Sequence, residues 1–360
     1  MTPSRRKFLT FAALTVPTAA GVLALPDTAL ARPSTALATT GTPGDLPDYL
    51  PIPQSSFGPA LNADGYYVGR IKGNLYWVTD SFYQSMFLTT RDGVIVVDAP
   101  PTIGHNLLRA IDEVTKANGR PSKVTHLVYS HFHTDHIGAS VIFGKNVERV
   151  AHRETARLLR EAHDPNRPVP TITFDDHYTL RVGGEKLQLD YHGPNHTADN
   201  IFIYAPNQET LMVVDVVFSG WAPFKGLAVS AEIPNWMRMH DVALRYPWTT
   251  LVSGHLGRLG TRADVTIQKD YLTDLRAGAE ATMSSLDPTP FFAKYGPTGN
   301  GWAIFKEYLD AMTRQIADPV IAKYAGKLAA VDVFTFDNAF AMLESLRIDT
   351  GHLGPFGIHP

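Results

Sequence analysis

The stretch Ser130-His131-Phe132-His133-Thr134-Asp135-His136-Ile137-Gly138 constrains this chain more than any other. Three imidazoles and a carboxylate fall within six positions. They follow directly on the apolar run Val124 to Tyr129, which reads as a buried strand. A strand that stops at such a cluster delivers ligands to one point in space. Imidazole and carboxylate suit zinc and its first-row neighbours better than calcium or magnesium. The working reading is a metal-dependent hydrolase.

Composition narrows the ligand set. The chain has no cysteine, so disulfides and thiolate ligands are both excluded, and any metal must be held by His, Asp or Glu. The 360 residues are 44% hydrophobic and 19% charged, a globular balance with ample material for a core. A net charge of -3 and the lack of a long basic run argue against nucleic acid as a partner.

The first residues read as an export signal. Ser4-Arg5-Arg6-Lys7-Phe8-Leu9 has the twin-arginine pattern, Phe8 to Leu25 is apolar, and Ala29-Leu30-Ala31 is a cleavage-type site. Pro17 and Gly21 interrupt the apolar stretch, which is short for a membrane span, so cleavage near Arg32 is favoured over anchoring. The expectation is a signal over 1–31 and a periplasmic or extracellular mature chain without an integral membrane segment. Residues 32–64, rich in Pro, Thr, Gly and Ala, read as an extended lead-in.

From Gly65 the pattern turns β-like. Asn74 to Thr79, Tyr83 to Thr89 and Gly93 to Asp98 predict an antiparallel meander. A helix is expected over His105 to Ala117, where Leu107, Leu108, Ile111 and Val114 share a face. The strand before the cluster completes a βαβ unit, whose strand ends are where α/β folds place ligands. Beyond it, Glu148 to Ala151 reads as a strand and Arg153 to Ala162 as a helix. The loop Asp164 to Pro170 is placed to reach over a site. Further strands are expected over Tyr178 to Val182, Lys186 to His192, Asn200 to Tyr204, Leu211 to Val217 and Thr249 to Ser253, with helical periodicity over Trp236 to Leu244. After Ala263 the chain reads as helical, near 265–285, 301–324 and 336–347.

Three more positions stand at or just after strand ends: His196 within Asn195-His196-Thr197-Ala198-Asp199-Asn200, Asp215 closing Leu211-Met212-Val213-Val214-Asp215, and His255 within Ser253-Gly254-His255-Leu256-Gly257. With the first cluster, and with Asp98 ending a valine-rich strand upstream, they resemble the metallo-β-lactamase superfamily over roughly 65–262. The resemblance implies an α/β fold, a four-layer αβ/βα sandwich with a helical C-terminal extension over 263–360. Carried over, His131, His133 and His196 would hold one ion. Asp135, His136 and His255 would hold a second, and Asp215 would bridge them. Asp98 would tie the loop or orient a ligand imidazole. Local spacing agrees: alternate residues of an extended segment face one way, so His131 and His133 can reach one ion together.

The resemblance further implies two zinc ions, with iron or manganese also suited, and a bridging hydroxide oriented by Asp135 that attacks a small ester, lactone, thioester or amide. Asp215 points to the glyoxalase II, lactonase, arylsulfatase-like and phosphodiesterase branches, because the zinc β-lactamases carry no aspartate there. His133, where the diiron flavoproteins carry glutamate, points away from that branch. A mononuclear iron persulfide dioxygenase is the alternative, since it uses His131-, His133- and His196-type ligands alone. Of the remaining residues, His126 reads as core or supporting, His192 and His240 as nearest the site, Trp236 as core, and Trp221 and Phe224 as pocket wall. The C-terminal helices read as a cover or a homodimer interface.

Overall fold

The computed structural model describes residues 46–351. The expected export signal and the first part of the lead-in lie outside the described residues.

Two sheets carry the architecture. The first has seven strands in chain order. β1 (Tyr67–Lys72), β2 (Leu75–Thr79), β3 (Gln84–Thr89) and β4 (Val94–Val97) form the expected antiparallel meander. β5 (Val124–Val128), β6 (Glu148–His152) and β7 (Ile172–Phe174) add to it in parallel. Parallel neighbours need a crossover, supplied by α1 (Asn106–Asn118) between β4 and β5 and by α2 (Thr134–Ile137) between β5 and β6. α3 (Arg153–Ala162) follows β6. In the second sheet β8 (His177–Val182), β9 (Glu185–Tyr191), β10 (Ile201–Ala205) and β11 (Thr210–Val213) are antiparallel. β12 (Thr250–Val252) lies parallel beside β11.

The period-two alternation of a strand assigns each layer. In β4, Ile95 and Val97 face the second sheet, where they meet Leu189, Ile203 and Met212. Val94 and Val96 face outward onto Leu107, Ala110 and Ile111 of α1. β4 is therefore buried on both faces, which is why its sequence is a continuous apolar run rather than an alternation. On the far side, Phe202 and Val213 pack under Trp236 and Met239 of α5 (Ile233–Arg245). The order helix, sheet, sheet, helix is the four-layer sandwich of the metallo-β-lactamase fold.

The C-terminal region extends that outer helical layer. α6 (Arg262–Ser285), α7 (Thr289–Tyr295), α8 (Gly301–Tyr324) and α9 (Val331–Ile348) share one apolar core with α5, through Tyr271, Leu275, Tyr308, Met312 and Leu343. α6 starts at 262 rather than near 265 because Thr261 and Asp264 form a reciprocal capping box. A short element, α4 (Lys225–Val229), was not legible beforehand. Its inner residues Gly226, Leu227 and Ala228 have φ of 65, 55 and 59°, a left-handed run that side chains disfavour. The buried amide of Asn338 holds it, accepting from the Leu227 N–H at 2.7 Å and donating to the Pro223 carbonyl at 2.9 Å.

Two expectations need correction. Asp164 to Pro170 does not cover a site. Arg167 pairs with Asp164 at 2.7 Å and donates to the Phe132 carbonyl at 2.5 Å, while Tyr129 donates to the Pro168 carbonyl, so the loop backs the His131–His133 segment from behind. The described end of the lead-in, by contrast, is built in. Ser56 Oγ donates to the Gly220 carbonyl at 2.8 Å, and the Trp221 indole donates to the Ser56 carbonyl at 3.2 Å. Gly58 then lies so close to Gly257 that a Cβ would sit 1.6 Å from the Gly257 carbonyl oxygen.

That contact gives a direct test. Gly58→Ala must push this strap off the loop that carries His255, and is expected to cost about 1–3 kcal/mol of stability. Denaturant unfolding at constant m-value measures the loss.

Candidate metal centre

The site forms where both sheets end. β5 stops at Val128, and the Ser130 N–H donates to Asp98 Oδ1 at 2.8 Å. The Ser130 carbonyl accepts from the Ile201 N–H at 3.0 Å, so one residue joins the two sheets directly before the first ligand. Asp98 is fully buried, and burial pushes its carboxyl up to about 6 despite the neighbouring His136 and the Ser130 donor. Ser130 Oγ lies 3.0 Å from His131 Nδ1 and leaves Nε2 facing inward. His133 sits at the N-cap of α2 in extended backbone, and Asp135 and His136 follow inside that turn.

The remaining ligands come from the second sheet. Asn195 Oδ1 accepts from the His196 N–H at 2.7 Å and from Asn200 Nδ2 at 3.0 Å. Asn200 also donates to the Val214 carbonyl at 2.9 Å, tying the His196 loop to the chain just before Asp215. β11 stops at Val213, four residues short of the expected Val217, because Asp215 adopts φ of 58° and leaves the strand. Asp98 and Leu256 are likewise left-handed, at 61 and 69°. Non-glycine residues held there store strain, which collects at functional sites. His255 follows β12, bridged to Tyr83.

All seven expected ligands converge. His131, His133, His196 and Asp215 present ligand atoms within 4.8 Å of one another, and so do Asp135, His136 and His255. Asp215 serves both groups. Its Oδ2 lies 3.5 Å from His131 Nε2, 3.0 Å from His196 Nε2 and 3.1 Å from His136 Nε2, while its Oδ1 lies 2.9 Å from His255 Nε2. His133 Nδ1 and His196 Nε2 face each other at 3.1 Å, as do the Nε2 atoms of His136 and His255. His131 Nε2 is buried with no hydrogen-bond partner among the described residues. A buried, unpartnered imidazole nitrogen aimed at other imidazoles is costly unless a cation stands between them, so the donor set fits divalent metal.

Electrostatics agree. Burial takes His131 well below its ordinary value and His133 down to about 4, so both stay neutral ligands. Burial opposes ionisation of Asp215, yet His136, His196 and His255 together hold its carboxyl well below the usual range. Burial also opposes a charge on His136, but Asp215 outweighs it and raises that imidazole to about 9. The acidic hole around Asp215 thus attracts positive charge, from protons or from metal.

Much of the support comes from residues for which sequence reading offered no such role. The Trp236 indole donates to the Asp215 carbonyl at 2.8 Å. Gln268 of α6 grips the next residues: its Oε1 accepts from the Phe218 N–H at 2.8 Å, and its Nε2 donates to the Val216 carbonyl at 2.6 Å and to His240 Nε2 at 2.7 Å. Only local helical pattern was visible at Gln268, and no sequence signal tied it to residues some fifty positions upstream. His240 supports through Gln268, whereas His192 bonds to Tyr246 and His126 pairs with Glu148 near the surface; none of the three lines the cavity. Trp236 is core, and Trp221 and Phe224 are cavity wall, as expected.

The cavity above the ligands measures about 840 Å³. Its floor is His133, Asp135, His196, Asp215 and His255. Its walls come from the strap Ser56 to Leu61, from Phe82 and Tyr83, from Phe218 to Phe224, and from Phe334 of α9. The strap, Tyr83 and Phe334 were not among the expected site residues, because each reaches the site from an element distant in sequence.

Two outcomes test this framework. Gln268→Leu leaves a buried N–H and a buried carbonyl without partners, and is expected to lose about 2–4 kcal/mol, read by chemical unfolding. His240 donates Nδ1–H to the Met237 carbonyl at 3.0 Å and accepts at Nε2, and burial lowers its pKa from 6.5 to about 4. The unfolded chain therefore takes up the proton first. Stability from this group is full above pH 6.5 and falls as pH drops toward 4, by at most about 3 kcal/mol. The difference between wild type and His240→Gln, followed by unfolding across that window, isolates it.

Comparison with known proteins follows the same outline. A family model described as the metallo-beta-lactamase superfamily matches residues 78–255. The chain is 26% identical over 217 residues to the 2,4-dinitroanisole O-demethylase subunit alpha of Nocardioides sp. (strain JS1661), covering 59% of this chain and 62% of that subunit, less than two thirds of its length. It is 26% identical over 200 residues to the metallo-beta-lactamase type 2 of Elizabethkingia meningoseptica, covering 52% and 78% respectively. Among solved structures, the metallo-beta-lactamase from Pontibacter korlensis aligns at a TM-score of 0.48 and 24% identity, over 57% of this chain and 97% of that one. Over residues 78–255 the chain is thus similar to the metallo-β-lactamase superfamily, and all seven converging residues lie within that span.

Proposed function

We propose that this protein is a dinuclear metallohydrolase, with zinc the favoured ion, that cleaves an ester, lactone, thioester or amide. One observation carries the reading: the Asp215 carboxylate stands 2.9–3.5 Å from imidazole nitrogens of both ligand groups. A mononuclear iron centre would need only the first group. The additional convergence of Asp135, His136 and His255 favours two ions over that alternative. Asp215 also supports the lactonase-like branches over the antibiotic-resistance enzymes.

Divalent ions held by these residues would supply Lewis acidity and would make a coordinated water easier to deprotonate. The protein does the rest. His131, His133 and His196 with Asp215 fix one position, and His136, His255 and Asp135 fix the other. Asp135 is the least buried of the carboxylates, with 41% of its side chain exposed, and it faces the cavity. It is placed to accept a hydrogen bond from attacking water and to pass the proton toward a leaving group. Tyr83 closes that side of the site against His136 and His255, with ring centroids 5.7 and 4.7 Å away.

A second reading is hydrolytic cleavage of an aryl ether. It is supported by the similarity to a subunit named as an O-demethylase and by the aromatic walls of the cavity. Export by the twin-arginine route is proposed on Ser4 to Leu9 and Ala29 to Ala31. Among the described residues, no helix is long and apolar enough to cross a membrane.

Elemental analysis of the purified protein is expected to give two zinc per chain. One iron per chain with oxygen consumption would replace this reading with the dioxygenase. Asp135→Ala is expected to lower kcat about 100-fold or more with an unchanged circular-dichroism spectrum, and near-normal turnover would remove the role given to Asp135.

A further inference from the structure

The cavity walls differ in chemistry from its floor. Among the described residues, every charged group that lines it is one of the expected metal ligands, and no Lys or Arg does so. The cations next in sequence to lining residues are committed elsewhere. Arg258, adjacent to Gly257, holds Asp264 through both terminal nitrogens at 2.6 and 3.0 Å. Lys225, adjacent to Phe224, pairs with Asp337 at 3.5 Å. Three non-ligand hydroxyls reach it, from Ser56, Ser81 and Tyr83, and that of Ser56 is spent on the Gly220 carbonyl. The rest of the lining is mainly aromatic and aliphatic, with Phe57, Phe218, Trp221, Phe224 and Phe334 its largest side chains.

This apolar lining continues to the mouth. Phe57, Phe82, Phe224 and Val229 all line the cavity yet are 49, 69, 51 and 68% exposed. Large exposed hydrophobic side chains gathered round one opening mark a surface that meets an apolar ligand. The backbone at one of them is strained. Val229 ends the left-handed run, at φ of 53°, and Asn338 holds that run from behind.

We infer that the site takes a neutral, elongated substrate whose scissile group sits on the ligand floor between alkyl or aryl arms, and that it rejects substrates carrying a remote carboxylate or phosphate. The inference rests on the hydrolase reading above and names the substrate class of that same site. The physical reason is desolvation. An anionic group a few bonds from the reacting centre would lie mainly against rings and methyls, with no Lys or Arg among the described lining residues to offset the loss of its water. An uncharged arm gains instead, by about fourfold in binding for each methylene it buries. A cavity of about 840 Å³ is near the upper end of the range for drug-sized ligands, so it has room for an arm beyond the reacting centre.

The test compares matched 4-nitrophenyl esters on the metal-loaded full chain: the octanoate, the acetate, and the hydrogen suberate, which has the octanoate's length with a terminal carboxylate. The octanoate is expected to exceed the suberate by about 100-fold in kcat/KM, and the acetate by at least about tenfold. Equal rates for octanoate and suberate overturn the inference. A binding arm separates it from the hydrolase reading. The neutral dye N-phenyl-1-naphthylamine is expected to brighten on the protein, and to be displaced by methyl octanoate but not by suberate dianion. Dye binding and selective displacement without hydrolysis of any ester would leave the substrate class standing and sink the hydrolase reading. Failure of the dye to bind, or displacement by suberate as readily as by methyl octanoate, would sink the substrate class. Phe224→Arg places a cation at the mouth and is expected to narrow the octanoate-to-suberate ratio at least about tenfold; an unchanged ratio overturns the assignment of that wall.

Discussion

One buried carboxylate organises this molecule. Asp215 is 4% exposed and stands among four imidazoles drawn from both sheets and from loops more than a hundred residues apart. An unpaired charge at that depth would be expensive, and so would a set of unpaired imidazoles. Each cost is offset only when the other is present, with cation between them. The two sheets are thereby held in register at their ends as well as through the apolar layer that they share.

Such a residue must be held from outside the site, and the outer helical layer does this. Trp236 of α5 fixes the carbonyl of Asp215 itself, and Gln268 of α6 fixes Val216 and Phe218 beyond it. Asn200 fixes the residue before. Asp215 can remain in a left-handed conformation because its neighbours on either side are over-determined by buried hydrogen bonds. The C-terminal helices contribute no ligand, but one of them helps to shape the centre, and another supplies Asn338 and Phe334 to the wall above it.

The cavity shows the division between machinery and specificity. Its floor is polar, charged and built from strand ends. Its walls are aromatic and come from a strap, a left-handed turn and a C-terminal helix. Loops that pack through side chains onto a rigid scaffold can vary without disturbing what lies below them. The strap is itself secured to the ligand floor by the Gly58–Gly257 approach, which admits no side chain.

The seven residues that converge at the centre could be read from the chain, as could nearly every strand and the long helices. That legibility has a physical origin: ligands need particular donor atoms at strand ends, and strands buried on both faces must be apolar throughout. The early end of β11 was not legible, because a left-handed aspartate has no sequence mark. Nor was the role of residues 54–61, whose composition resembles that of an unstructured leader and whose order comes from Gly220, Trp221 and Gly257. The sequence by itself determined which atoms could bind metal and which strands would carry them. Only tertiary structure decided that one carboxylate would reach both groups, that Gln268 and Trp236 would hold it there, and that no Lys or Arg among the described residues would line the cavity above. Those properties depend on contacts between residues far apart along the chain, and local pattern carries no record of them.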